Sequence, residues 1–160
     1  MAWALLLAAG QGNRLASATG GLAKQFLDWK GAPLYWESAL VFSRCARVEG
    51  LVFVFPEACI GEEHERVTGL MRDAPLGLPW KVVAGGALRQ DSVRNGLSVL
   101  PDDCEEVLIH DAARPFVSPA LVNRILDGLH GETPGERIAA CIPGVPVVDT
   151  IKVMDEDGKV

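Results

Sequence analysis

Short, mostly apolar runs separated by amphipathic stretches constrain the fold of this chain more than any other feature. The runs are Trp3–Ala8, Leu51–Phe55, Lys81–Val83, Val107–His110 and Ile138–Ile142, each closed by Gly, Pro or Asp. Runs of this kind suit parallel strands covered on both faces. The segments between them carry helical spacing. Pro33 opens one at the favoured first helical position, with Trp36, Ala39 and Leu40 on one face. Ser92–Leu100 sets Val93, Leu97 and Leu100 at helical intervals. Ser118-Pro119 caps and starts Ala120–Leu129, where Leu121, Val122, Ile125, Leu126 and Leu129 form a broad apolar stripe. The alternation predicts an α/β fold with a parallel sheet and right-handed crossovers. In such sheets ligands sit at the carboxyl ends of the strands.

Three polar, glycine-rich or charged motifs fall at those ends. The first, Ala8-Ala9-Gly10-Gln11-Gly12-Asn13-Arg14, directly follows the first apolar run. Small residues let a backbone approach a polyphosphate, and exposed N–H groups then point at its oxygens. The dinucleotide fingerprint fails here, because Leu15 stands where a third glycine belongs, and the G-x-x-x-x-G-K-[ST] loop is absent. What remains is a loop with one cation inside it, Arg14, and another, Lys24, after a Ser/Thr/Gly stretch. Two cations around a polyphosphate suit attack at phosphorus, where positioning and charge neutralisation supply most of the rate. The competing reading is a glycine turn with two solvated cations.

The second motif is Gly85-Gly86-Ala87-Leu88-Arg89-Gln90-Asp91-Ser92. Its glycines permit a tight turn, and Ser92 falls in the first turn of the next helix, where it can read a ring edge or a phosphate or simply cap. The third is His110-Asp111-Ala112-Ala113-Arg114-Pro115. A carboxylate at the end of a buried strand is costly unless it meets a metal, a sugar hydroxyl or a cation. Arg114, three residues on, can serve a phosphate oxygen or Asp111 itself. His110 alone reads as a core histidine. A fourth polar cluster, Asp149, Thr150 and Lys152, lies where the body of the fold gives way to a hairpin.

Composition closes off other classes. The net charge of −6 argues against nucleic acid, which normally demands a basic face, but a mononucleotide site needs only a few local cations. No run reaches the roughly 18 apolar residues of a membrane span. Cys45, Cys59, Cys104 and Cys141 are scattered, without C-x-x-C spacing, and read as free thiols of a cytoplasmic protein.

Taken in order, Ala-Ala-Gly-x-Gly-x-Arg, Lys-Gln-Phe, Gly-Gly-x-x-Arg-Gln-x-Ser-Val, Ile-His-Asp-Ala-Ala-Arg-Pro-Phe and Val-Val-Asp-Thr-Ile-Lys resemble the 2-C-methyl-D-erythritol 4-phosphate cytidylyltransferases. The resemblance spans nearly the whole chain. It implies a Rossmann-like three-layer sandwich with a mostly parallel central sheet and a β-hairpin arm beginning near the C-terminus. It also implies a reaction, in which CTP and methylerythritol 4-phosphate give the CDP-alcohol and diphosphate with Mg²⁺. In that reading the backbone of Ala8, Ala9, Gly10 and Gly12 holds the triphosphate, and Arg14 and Lys24 are catalytic. Gly86 and Ser92 line the cytosine pocket, and Asp111 lies by the ribose and the metal. Arg114 and Thr150 face the acceptor phosphate. The family implies a homodimer whose arm reaches the partner's site.

Two alternatives carry different expectations. A ribitol-5-phosphate cytidylyltransferase shares the loop and Lys-Gln-Phe, but tends to have Ala-Gly-Gly and His-Asp-Ala-Val-Arg where this chain has Ala8-Ala9-Gly10 and His110-Asp111-Ala112-Ala113-Arg114. A non-catalytic nucleotide-binding module need not have kept Arg14, Lys24, Asp111 and Thr150 together. Residues 1–160 read as one nucleotidyltransferase domain that stops within the arm, at about 145–160. Thr150–Met154 is expected as a strand and Asp155–Gly158 as a hairpin turn. Such a fragment is expected to bind CTP weakly and turn over little.

Overall fold

The computed structural model describes residues 1–10, 22–131, 138–146, 148, 153 and 156–157. The chain divides into two compact units, Met1–Asn123 and Arg124–Val160. In the first unit four strands form one sheet: β1 (Ala2–Leu7), β4 (Val48–Phe55), β5 (Trp80–Ala84) and β6 (Glu106–Asp111). Their order is β5-β4-β1-β6, and every pairing is parallel. A small antiparallel pair, β2 (Asp28–Trp29) with β3 (Ala32–Pro33), precedes α1 (Leu34–Ser43). The connections to β5 and β6 carry α2 (Ile60–Asp73) and α3 (Arg89–Leu97). Last comes α4 (Pro119–His130), which spans the boundary between the units.

The alternation of side chains along β1 and β4 explains why these runs are apolar throughout. Leu5, Val52 and Val54 pack on one face with Trp3, against Leu7, Val83, Val99 and Leu100. Phe53 and Phe55 alternate with them and meet the aromatic residues of α1. Tyr35 lies edge-on to Phe55 at 5.0 Å, and Trp36 stacks on Phe53 at 6.4 Å between centroids. Aromatic pairs in these geometries add to the burial of their area. The Tyr35 hydroxyl, fully buried, donates to Glu63 of α2 at 2.8 Å. That bond satisfies both polar groups inside an apolar layer.

Pro33 is the residue before α1 rather than its first member, with an extended backbone. The helix expected at Ser92–Leu100 starts three residues earlier, at Arg89. No Ser or Thr caps it; instead the Asp91 carboxylate accepts from the Leu88 N–H at 3.1 Å. At the start of α4, Ser118 Oγ accepts from the Leu121 N–H at 3.2 Å, as the Ser-Pro pair predicts. The amphipathic α2 is an element the sequence reading does not assign, although Glu62 and Glu63 in its first turn and Arg72 in its last suit a helix dipole.

One expected strand is absent. Residues 138–142 adopt no strand among the described residues. An apolar run ended by Pro143 has a strand's composition, but a strand exists only where an edge pairs with it. Of the expected hairpin, Glu156 and Asp157 sit in a turn, and Thr150–Met154 lies almost wholly outside the described residues. No described helix is long and apolar enough to cross a membrane, and the four cysteines form no disulfide.

Candidate active site

A cavity of about 1150 Å³ opens at the carboxyl ends of β1, β4, β5 and β6. The parallel register brings these ends level, with Leu7 beside both Val54 and Asp111, and Phe55 beside Ala84. Each chain segment leaving a strand therefore contributes to one wall. Ala9 and Gly10 come from β1, Gly85–Arg89 from β5, and Asp111, Ala113 and Arg114 from β6. Lys24 and Gln25 join from the 3₁₀ turn Lys24–Phe26.

The glycines of the second motif are there for close approach. A Cβ on Gly85 would stand 2.4 Å from the Ala9 Cβ and 2.8 Å from Ser92 Oγ. One on Gly86 would meet the Asp91 Cβ at 2.3 Å. Only bare backbone fits where this wall meets the wall from β1. Ser92, nearly fully buried, accepts from the Gly86 N–H at 3.1 Å and contacts the Leu88 carbonyl at 3.3 Å as donor. Its hydroxyl thus holds the turn that shapes the wall.

Asp111 is clamped by two arginines. Arg89 donates to Oδ1 from Nη2 at 2.9 Å and from Nε at 3.3 Å, and Arg114 Nε donates to Oδ2 at 3.1 Å. Burial pushes the Asp111 carboxyl up. The hydrogen bonds and charges of the two guanidinium groups outweigh that, holding it below the ordinary carboxylate range. The side chains of Arg89 and Arg114 are 63% and 78% exposed. Ion pairs so open to water contribute little stability, which leaves both arginines able to exchange Asp111 for an incoming phosphate. The charged residues of the wall are Lys24, Arg89 and Arg114 against Asp111 and Glu57, a balance that favours an anionic ligand.

His110 supports this wall from below. Its Nε2 lies 3.1 Å from the Arg114 carbonyl and 3.2 Å from Ser38 Oγ, and its ring stands edge-on to Phe42. A carbonyl only accepts, so Nε2 carries the proton. Burial lowers the His110 pKa, outweighing the Arg114 carbonyl and the Asp111 charge. The folded chain therefore favours neutral imidazole, and its stability is complete above the ordinary value of about 6.5 and declines as pH falls through it. The melting temperature is expected to fall between about pH 7 and about pH 5, and less so in His110→Gln. Thermal melts across that range check this; equal slopes in both proteins would exclude His110 as the source.

Of the residues singled out from the sequence, Ala9, Gly10, Lys24, Gly86, Ser92, Asp111 and Arg114 line this one cavity. Ala8 is buried just beneath it, its N–H bonded to the Val54 carbonyl at 2.8 Å. Gly12, Arg14 and Thr150 lie outside the described residues.

A family model of 2-C-methyl-D-erythritol 4-phosphate cytidylyltransferase, IspD, matches residues 2–160. The chain belongs to this family. The bifunctional enzyme IspD/IspF of Oleidesulfovibrio alaskensis is 52% identical over 158 residues, covering 99% of this chain and 38% of that protein. The 2-C-methyl-D-erythritol 4-phosphate cytidylyltransferase of Clostridium botulinum is 35% identical over 154 residues, 96% of this chain and 62% of its own length. This chain thus spans less than two thirds of either relative. The crystal structure of 4-diphosphocytidyl-2C-methyl-D-erythritol synthase from Anaerococcus prevotii superposes with a TM-score of 0.70 at 20% identity, covering 99% of this chain and 60% of that one. At that identity the likeness speaks for the fold, an α/β sandwich about a parallel sheet.

Within this cytidylyltransferase fold, Arg89 and Gln25 are among the wall residues that the sequence does not mark as site residues. Arg89 was visible only as a cation, since its partner Asp111 is 22 positions away. Gln25 sits inside the Lys-Gln-Phe motif, but nothing in the sequence announces that it is 4% exposed.

Proposed function

We propose that this chain transfers a cytidylyl group from CTP to 2-C-methyl-D-erythritol 4-phosphate. What carries the reading is one cavity lined by Gly10, Lys24, Gly86, Ser92, Asp111 and Arg114 in a chain that matches the family across residues 2–160. An oxygen of the acceptor phosphate attacks the α-phosphorus of CTP. A new P–O bond forms as the bond to the β-phosphate bridging oxygen breaks, and diphosphate leaves with that electron pair. No covalent nucleophile is needed, so the protein's task is to align two polyanions and neutralise the charge that develops.

Lys24 and Arg14 meet that charge at the α-phosphorus, and the backbone of Ala8–Gly12 cradles the triphosphate. Gly86 and Ser92 shape the cytosine pocket. Arg114 takes the acceptor phosphate with Thr150, which serves across a homodimer through the hairpin arm. The protein works in the cytoplasm.

Mg²⁺ belongs to the same proposal. Among the described residues no three His, Cys, Asp or Glu side chains gather as a cage. Mg²⁺ is commonly held by one or two carboxylates together with substrate phosphates, and Asp111 on the cavity wall fits that donor set. When bound there it would neutralise charge on the phosphate oxygens.

The test is diphosphate release by the intact protein with CTP and either acceptor. Release is expected with methylerythritol 4-phosphate and not with ribitol 5-phosphate. The reverse preference would reassign the substrate. CTP binding without release from either acceptor would make the protein a non-catalytic nucleotide-binding module.

A further inference from the structure

Gln25 makes an arrangement that the catalytic reading does not use. Its side chain is buried, and its Nε2 lies 2.7 Å from the Ala8 carbonyl and 2.7 Å from the Gly10 carbonyl. A carboxamide has two N–H donors, and both are spent on this one stretch of backbone. The partners are 17 and 15 positions away in sequence, so these two bonds fasten the beginning of the glycine loop to the turn that follows it.

Two consequences follow from elementary geometry. In a trans peptide the C=O and the following N–H point in opposite directions, and no described peptide is cis. Drawing the Ala8 carbonyl toward Gln25 therefore turns the Ala9 N–H the other way. The strand hydrogen bonds stop just before this point: the Leu7 carbonyl accepts from Ala112 and the Ala8 N–H donates to Val54. From Ala8 onward Gln25 takes over from the sheet as the support of the backbone. The second consequence concerns Lys24. It is the chain neighbour of Gln25 and lines the same cavity as Ala9 and Gly10. Its backbone carbonyl accepts from the Leu27 N–H at 3.2 Å, closing the 3₁₀ turn. Anchoring Gln25 to the loop thus sets where the Lys24 ammonium starts from.

We propose that Gln25 is the positioning residue of the nucleotide site. It aims the loop backbone at the triphosphate and holds Lys24 in register with it, without touching the substrate's reacting atoms. The inference rests on the cytidylyl-transfer reading of the cavity.

The experiment compares wild type, Gln25→Met and Gln25→Glu as intact proteins. Methionine keeps the volume and removes both donors; glutamate keeps the shape and sets a carboxylate against two carbonyls. Both variants are expected to raise the Kd and KM for CTP about tenfold or more, since two buried acceptors lose their donors. The KM for the acceptor phosphate should stay within about twofold, a split that a general loss of structure would not produce. Amide hydrogen exchange at Ala9 and Gly10 should speed up about tenfold, while exchange in β4 is unchanged. Should Gln25→Met fail to fold, Gln25→Glu provides the same readouts. A folded variant with wild-type CTP affinity, or with wild-type exchange at Ala9 and Gly10, overturns the proposal. A wild-type protein that binds no CTP overturns the cytidylyl reading instead, and the exchange rates still decide whether Gln25 holds the loop.

Discussion

Replacing Lys24 by alanine is expected to lower the turnover of the proposed cytidylyl transfer by about two to three orders of magnitude, the usual cost of removing one preorganised donor where charge develops. Lys24 is exposed on the cavity wall and makes no ion pair among the described residues. Truncating such a side chain should therefore leave stability within about 0.5 kcal/mol. The expected signature is a collapse in kcat with an unshifted melting temperature. Arg14→Ala should act in the same direction, because both cations are assigned to the same phosphorus. Steady-state diphosphate release on the intact enzyme provides the measurement. A kcat that survives the loss of Lys24 would remove it from the catalytic machinery.

The second large effect is structural and falls on Gly85→Ala. The added methyl would lie 2.4 Å from the Ala9 Cβ, a contact between two atoms that are both fixed to the backbone. Neither can rotate away. Relief requires the segment leaving β5 to move away from the one leaving β1, against the hydrogen bond that ties the Gly85 N–H to the Phe55 carbonyl of β4 at 2.7 Å. Overpacking of this kind costs about 1–3 kcal/mol. The melting temperature should drop by about 2–4 °C for each kcal/mol in a chain of this size. The same displacement pushes Ala9 and widens the turn held by Ser92, so CTP binding should weaken along with stability. Differential scanning calorimetry with a CTP titration tests both. A variant as stable as wild type would mean that the two walls yield more readily than their packing implies.

The two substitutions probe different layers of the same motif set, and they differ in how far the sequence announces them. Lys24 belongs to chemistry that is legible residue by residue: a cation downstream of a glycine loop at the end of an apolar run. β1 and β4 were legible because strands buried on both faces leave uninterrupted apolar runs, and β5 and β6, the partly buried edge strands, keep a short apolar core of the same kind. Asp111 with Arg114 was visible too, since a spacing of three across a turn brings opposite charges within reach. Both possible partners of Arg114, phosphate and Asp111, were open, and in the folded chain the ion pair with Asp111 is made.

Other features gave no such signal. α2 is amphipathic but rich in charge, and it buries only Val67 and Glu63, so few apolar positions mark its inner face in the sequence. α3 begins at Arg89 because Asp91 reaches back to Leu88, whereas a search for Ser or Thr caps points to Ser92. Residues 138–142 show the opposite error, since β-rich composition records a preference for pairing and says nothing of an available edge.

Residue chemistry and chain order alone are enough for the α/β alternation, for proposing the first loop as a phosphate site and for the failure of the dinucleotide fingerprint at Leu15. These follow from side-chain type and local spacing, which a linear string records in full. Folding was needed to join Gly10, Lys24, Gly86 and Asp111 in one cavity, to pair Arg89 with Asp111 and to bury Gln25 against Ala8 and Gly10. Those facts depend on the order β5-β4-β1-β6, which brings strand ends far apart in the chain level with one another. Hydrogen bonds across 15 to 22 positions leave no periodic trace in sequence, because each is set by the packing of the whole sheet and not by the residues adjoining its partners.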